Sequence, residues 1–183
     1  EKKPAPYISA ESYIVANLET GEVYISHNNS QIFPIASVSK LYTALVVQHL
    51  MDSDKEITIT QPMLDAYGDA GHLVLDEKFT SEELLYPLLM ESSNDAAEAY
   101  AQSFGYQDFM EEMNGFAKEI GLENTSFKDA SGLNPRNTSN ADDLFILSRY
   151  LYGHEKDILK ISKTVEYDIA TTSDHGGHHF VNI

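Results

Sequence analysis

The chain has 183 residues, 42% of them hydrophobic and 22% charged, which is enough apolar material for the core of one domain. Twelve Lys and Arg against 29 Asp and Glu give a net charge of -17, so the basic footprint needed to bind nucleic acid, or to hold a polybasic membrane anchor, is missing. Zero cysteines exclude disulfides, a cysteine nucleophile and thiolate metal sites, and no apolar run reaches the roughly 18 residues of a membrane span.

The chain starts Glu1-Lys2-Lys3-Pro4-Ala5-Pro6. Residues 1–7 read as a linker exposed by removal of an upstream segment, or as a frayed terminus, with no signal peptide in view. Residues 8–27 read as a β-hairpin, with alternation through Tyr13, Ile14 and Val15, a turn at Glu19-Thr20-Gly21-Glu22, and a return through Val23-Tyr24-Ile25. From about Ala36 to Met51 the pattern is helical and apolar nearly all round, which predicts a buried helix. Ile57 to Thr60 is a short strand signal, and residues 61–79 are irregular around Gly68 and Gly71. Thr80-Ser81-Glu82-Glu83 is a capping box, opening a helix that Pro87 should kink or displace. Residues 91–95 interrupt it. Helices are then expected over Ala96 to Phe104, 107–120 and Asn140 to Tyr152, each with a glycine just beyond its end. Residues 163–171 and 178–183 read as strands around a His/Gly loop, and no internal repeat is visible.

Two constellations carry chemistry. In Ser37-Val38-Ser39-Lys40 the serine lies in the first turn of the apolar helix, among unpaired backbone N–H groups. Lys40, three residues on, projects from the same face. A lysine beside a serine in a dry pocket can lose its proton and act as base, although a helix cap and an ordinary lysine would also satisfy the pattern. Ser92-Ser93-Asn94 falls at a break between helices, where side chains can point into a cleft. Its simpler reading is a cap on the next helix.

The two in this order resemble the motifs of penicillin-recognising serine enzymes. Pro34 to Leu45, Leu84 to Ala97, Ala117 to Leu122, Asn124 to Phe127 and Ser131-Gly132-Leu133 are similar to segments of the serine-type D-alanyl-D-alanine carboxypeptidases, the low-molecular-mass penicillin-binding proteins. The resemblance spans residues 8–183. It implies an α/β (α+β) fold of the β-lactamase/D,D-carboxypeptidase type, a helical region packed on an antiparallel sheet. It also implies a catalytic domain over residues 8–183 that is incomplete at its C-terminal end. Ser37 would be the nucleophile, Lys40 its base, and Ser92 a proton relay to the leaving D-alanine. Asn94 would bind the substrate backbone and help fix Lys40. Peptidoglycan stem peptides and β-lactams are the implied partners, outside the cytoplasm, with no cofactor.

The family's third motif, K-T-G, is missing. Lys163-Thr164-Val165 is the nearest string and reads as a decoy, because it precedes His178 to Asn182, whereas the family's motif follows that stretch. The chain as it stands is therefore expected to catalyse poorly and to self-associate through an open sheet edge. Asp174-His175-Gly176-Gly177-His178-His179 has metal-ligand residue types, but two glycines make a loose site, and a polar hairpin loop with no metal is expected. A β-lactamase, or a non-catalytic peptidoglycan- or partner-binding module on the same fold, are the alternatives.

Overall fold

The computed structural model describes residues 8–68 and 70–183; the expected N-terminal linker, residues 1–7, lies outside them. The hairpin forms where alternation places it, with β1 (Tyr13–Ala16) antiparallel to β2 (Val23–His27) and a register irregularity between Val15 and Ala16. Asn17 builds the turn: its Oδ1 accepts the N–H groups of Glu19 and Thr20 at 2.8 and 3.0 Å. β1 leans on a later helix, whereas all five residues of β2 are exposed.

A 3₁₀ turn (Ala36–Val38) runs straight into α1 (Ser39–Leu50). Tyr42 and Ala44 through Val47 are buried, as the unbroken apolar pattern predicts. Burying side chains such as Leu45, Val46 and Val47 stabilises by about 1.5–3 kcal/mol each, and α1 runs through the core. Around it pack α3 (Ser81–Met90), α4 (Asn94–Phe104), α5 (Tyr106–Glu119) and α7 (Lys156–Ser162). The short α2 (Gln61–Leu64) falls within the segment read as irregular, and α6 (Ala141–His154) covers β1.

The capping box at Thr80 is present, with Thr80 Oγ1 accepting from the Glu83 N–H and Glu83 Oε2 accepting from the Thr80 N–H. Pro87 does not break α3, which continues to Met90. The buried ring is held by tertiary packing, and the carbonyl of Pro87 accepts from both Glu91 and Ser93 N–H groups, at 3.3 and 3.0 Å. The interruption read over residues 91–95 falls between Met90 and Asn94, where Ser92 adopts φ 58°.

The strands pair antiparallel in four separate two-stranded ribbons among the described residues. Besides the hairpin these are β3 (Phe33–Pro34) with β6 (Thr138–Ser139), β4 (Glu56–Thr58) with β5 (Lys78–Thr80), and β7 (Glu166–Ile169) with β8 (His178–Val181). The β3–β6 pair matters most for the site, because it brings residues 126–139 against the start of α1.

Candidate active site

Ser37 and Lys40 come together. Ser37 is exposed in the 3₁₀ turn, and Lys40, 3% exposed, donates to Ser37 Oγ at 3.1 Å and to the Ser131 carbonyl at 2.7 Å. Burial pushes the Lys40 amine down from its ordinary 10.5 to about 8, against an opposing pull from the Asp129 carboxylate. A lysine so placed supplies a usable fraction of neutral amine near neutral pH.

The backbone around Ser37 is set by close approach. Ala36 adopts φ 44°, a costly conformation for a non-glycine residue that persists only when its surroundings enforce it. Gly132 supplies that enforcement. A Cβ at Gly132 would lie 2.0 Å from the Ala36 carbonyl oxygen, so only glycine lets the two strands of chain meet here.

Ser92 and Asn94 sit at the α3–α4 junction. Ser93, between them, is buried and caps α4, its Oγ accepting the Ala96 N–H at 3.1 Å. Asn94 makes no hydrogen bond to Lys40; its Nδ2 donates to the carbonyl of Tyr67, on an exposed loop. The same loop is pinned onto the junction at Gly71, where a Cβ would come within 2.6 Å of Ser93 Oγ. Glu91 ties the loop to the last strand: one carboxylate oxygen accepts the Gly71 N–H and the other the Val181 N–H, both at 3.0 Å. The structure thus joins Ser37 with Lys40 directly, and holds Ser92, in the break between α3 and α4, beside Asn94 at the start of α4.

Sequence reasoning missed several residues that shape the site: Asp129, Asn137, the Ser131 carbonyl and the Tyr67 carbonyl. Ser131-Gly132 was visible only as part of a resemblance. The glycine was the one physical signal, since a glycine is the residue that permits a positive φ and a close backbone approach.

Lys163 and Thr164 lie at the C-terminal end of α7, and Val165 is 75% exposed. The string therefore ends a helix and is not part of a strand. The histidines of the 174–179 loop point at three different carboxylates: His175 at Glu83 (3.5 Å), His178 at Glu77 (3.1 Å) and His179 at Asp168 (2.8 Å). A cavity of about 690 Å³ lies at the far end of α1, lined by Val47, Met51, Leu85, Tyr86 and Tyr167 among others. It is remote from the Ser37–Lys40 pair, and reactivity follows the paired nucleophile and amine rather than this void. No helix among the described residues is long and apolar enough to cross a membrane.

A family model described as D-alanyl-D-alanine carboxypeptidase matches residues 1–181. A D-alanyl-D-alanine endopeptidase of Escherichia coli (strain K12) is 32% identical over 174 residues, covering 92% of this chain and 55% of that protein. The D-alanyl-D-alanine carboxypeptidase DacF of Bacillus subtilis (strain 168) is 30% identical over 173 residues, covering 90% of this chain and 44% of its own. The crystal structure of a D-alanyl-D-alanine carboxypeptidase from Mycobacterium tuberculosis H37Rv superposes with a TM-score of 0.90 at 26% identity, over 98% of this chain and 69% of that one. The chain spans about half the length of the curated relatives it matches.

Proposed function

Because the chain belongs to the D-alanyl-D-alanine carboxypeptidase family, we propose that it carries the nucleophile of a serine D,D-carboxypeptidase acting on peptidoglycan stem peptides outside the cytoplasm. Ser37 Oγ attacks the carbonyl carbon between the two terminal D-alanines, and its proton passes to Lys40 Nζ. The resulting oxyanion draws on the backbone N–H of Ser37 and on one N–H from a β-strand. Collapse of the tetrahedral species breaks the C–N bond, and Ser92 relays a proton to the departing amine. Water then hydrolyses the Ser37 ester. Asn94 binds the substrate backbone, exchanging its contact with the Tyr67 carbonyl. β-Lactams acylate the same serine.

The observation that carries this reading is the 3.1 Å contact between Ser37 Oγ and a buried lysine whose pKa is lowered to about 8. An endopeptidase acting at a cross-link is the second reading, favoured by the name of the relative that is 32% identical. Both use the same acylation step and differ in the leaving group. Labelled penicillin tests the shared step. In the full-length protein, wild type should form a covalent adduct on Ser37, and Ser37→Ala should form none, by mass spectrometry. Labelling that persists in Ser37→Ala, or that maps to Ser92, would sink the assignment.

A further inference from the structure

We propose that Asp129 is a positioning residue for Lys40: its carboxylate folds the turn from Asp129 to Asn134 so that the Ser131 carbonyl is held on the lysine amine. The inference rests on the reading of Ser37 and Lys40 as a catalytic pair.

The turn has no regular secondary structure of its own, so its backbone groups need another partner. One carboxylate supplies it. Asp129 Oδ1 accepts the Ser131 N–H at 3.0 Å, the Ser131 hydroxyl at 3.2 Å and the Gly132 N–H, and Oδ2 accepts the Asn134 N–H. The result aims the Ser131 carbonyl at Lys40 Nζ, 2.7 Å away, and lays Gly132 against Ala36.

Asp129 is in turn wired to α1. Asn137 Nδ2 donates to the Asp129 carbonyl at 2.9 Å and to Ser39 Oγ at 3.1 Å, beside Lys40 in sequence. Its Oδ1 accepts the N–H groups of Lys128 and Asp129. Thr43 Oγ1, one turn beyond Lys40, donates to the Ala130 carbonyl at 2.6 Å. The turn and the helix bearing the base therefore move as one piece.

A turn alone does not call for a charge here. Asp129 is 9% exposed and makes no salt bridge among the described residues. Burying a carboxylate without a counter-charge is costly, and a neutral side chain could accept several of the same bonds. The charge acts on Lys40: among the described residues the Asp129 carboxylate is the ionised group that opposes the fall burial imposes on that amine. It favours an ammonium that donates to two oxygens, and so keeps the side chain seated between Ser37 Oγ and the Ser131 carbonyl until the proton leaves.

The test reads Lys40 directly, by carbon-detected NMR titration of its side chain in the unliganded chain, together with amide exchange. Wild type should titrate near 8. In Asp129→Asn the midpoint should fall by about half a unit or more, raising the neutral fraction at pH 7 about threefold. The Gly132 and Asn134 amides should exchange at least about tenfold faster. Asp129→Glu, which keeps the charge, should return the Lys40 midpoint towards wild type. An unmoved Lys40 midpoint with unchanged exchange in Asp129→Asn would overturn the proposal. Ser131→Ala covers the case in which Asp129→Asn does not fold. It keeps the carboxylate, so exchange should stay within about threefold of wild type. A change there of about tenfold or more would assign the turn to the Ser131 hydroxyl and overturn the role of Asp129. Failure of penicillin to label Ser37 would remove the catalytic reading while leaving this titration as it is, so the two failures are distinct.

Discussion

Lys40→Met isolates the energetic consequence of holding an amine in the core. Methionine is unbranched and of similar length, so it fills the channel of the lysine stem without the charge. In the folded chain Lys40 titrates near 8, against an ordinary 10.5. A lysine pKa depressed on folding means that the unfolded chain binds more protons between those two values. Stability therefore rises with pH across that window, and below it the folded state bears the full penalty of the buried ammonium. The difference of about 2.5 units corresponds to roughly 3 kcal/mol. Wild type should accordingly gain about 3 kcal/mol relative to Lys40→Met between pH 7 and pH 10.5, while other titrating groups cancel between the two proteins. In a chain of this size that is on the order of 10 °C in relative Tm. Paired urea titrations at half-unit pH steps would measure it. A wild-type minus Lys40→Met difference that is flat from pH 7 to 10.5 would refute the claim that burial depresses this lysine.

Other outcomes follow from the same geometry. Gly132→Ala places a methyl 2.0 Å from the Ala36 carbonyl oxygen and adopts φ 88°; it should destabilise by more than about 2 kcal/mol in denaturant melts and shift the Lys40 titration. Zinc calorimetry should show no stoichiometric site tighter than about micromolar, because His175, His178 and His179 each face a different carboxylate; one tight site lost in His178→Ala would reverse that reading. The hairpin leaves Val23, Tyr24 and Ile25 exposed along a strand whose outer edge is unpaired among the described residues, so this chain should self-associate with rising concentration in sedimentation, and Tyr24→Lys should reduce the effect. A monomer of wild type at all concentrations would count against it.

The sequence made much of the framework legible, and the reasons are local. The alternation at Tyr13–Ala16, the apolar run of α1 and the Thr80–Glu83 box each contain their own instruction. Pro87 signals a kink or displacement from its own chemistry, and packing around its buried ring carries the helix on to Met90. α7 was missed because seven residues are too few for a helical period to declare itself. Ser37 and Lys40 could be paired because three residues of helix bring them together. Their partner Ser131 contributes a backbone carbonyl from 91 positions away, and a carbonyl has no letter in the sequence. Asp129 and Asn137 look like ordinary turn residues until the turn is seen against α1.

That long span also sets when the site can exist. The β3–β6 pairing and the Asn137–Ser39 bond join segments about a hundred positions apart, the latter by 98. Closing so large a loop has little to recommend it until the helices between have packed and brought its ends near. α3, α4 and α5 lie in the intervening chain and pack on α1, which shortens the loop left to close. The expected order is that the nucleophile segment reaches its strained conformation at Ala36 late, after most of the core. A partly folded chain should hold Lys40 as an ordinary solvated ammonium and Ser37 as an ordinary alcohol. Reactivity at Ser37 would serve as a clock for the completion of folding, silent in every intermediate that lacks the turn at Gly132.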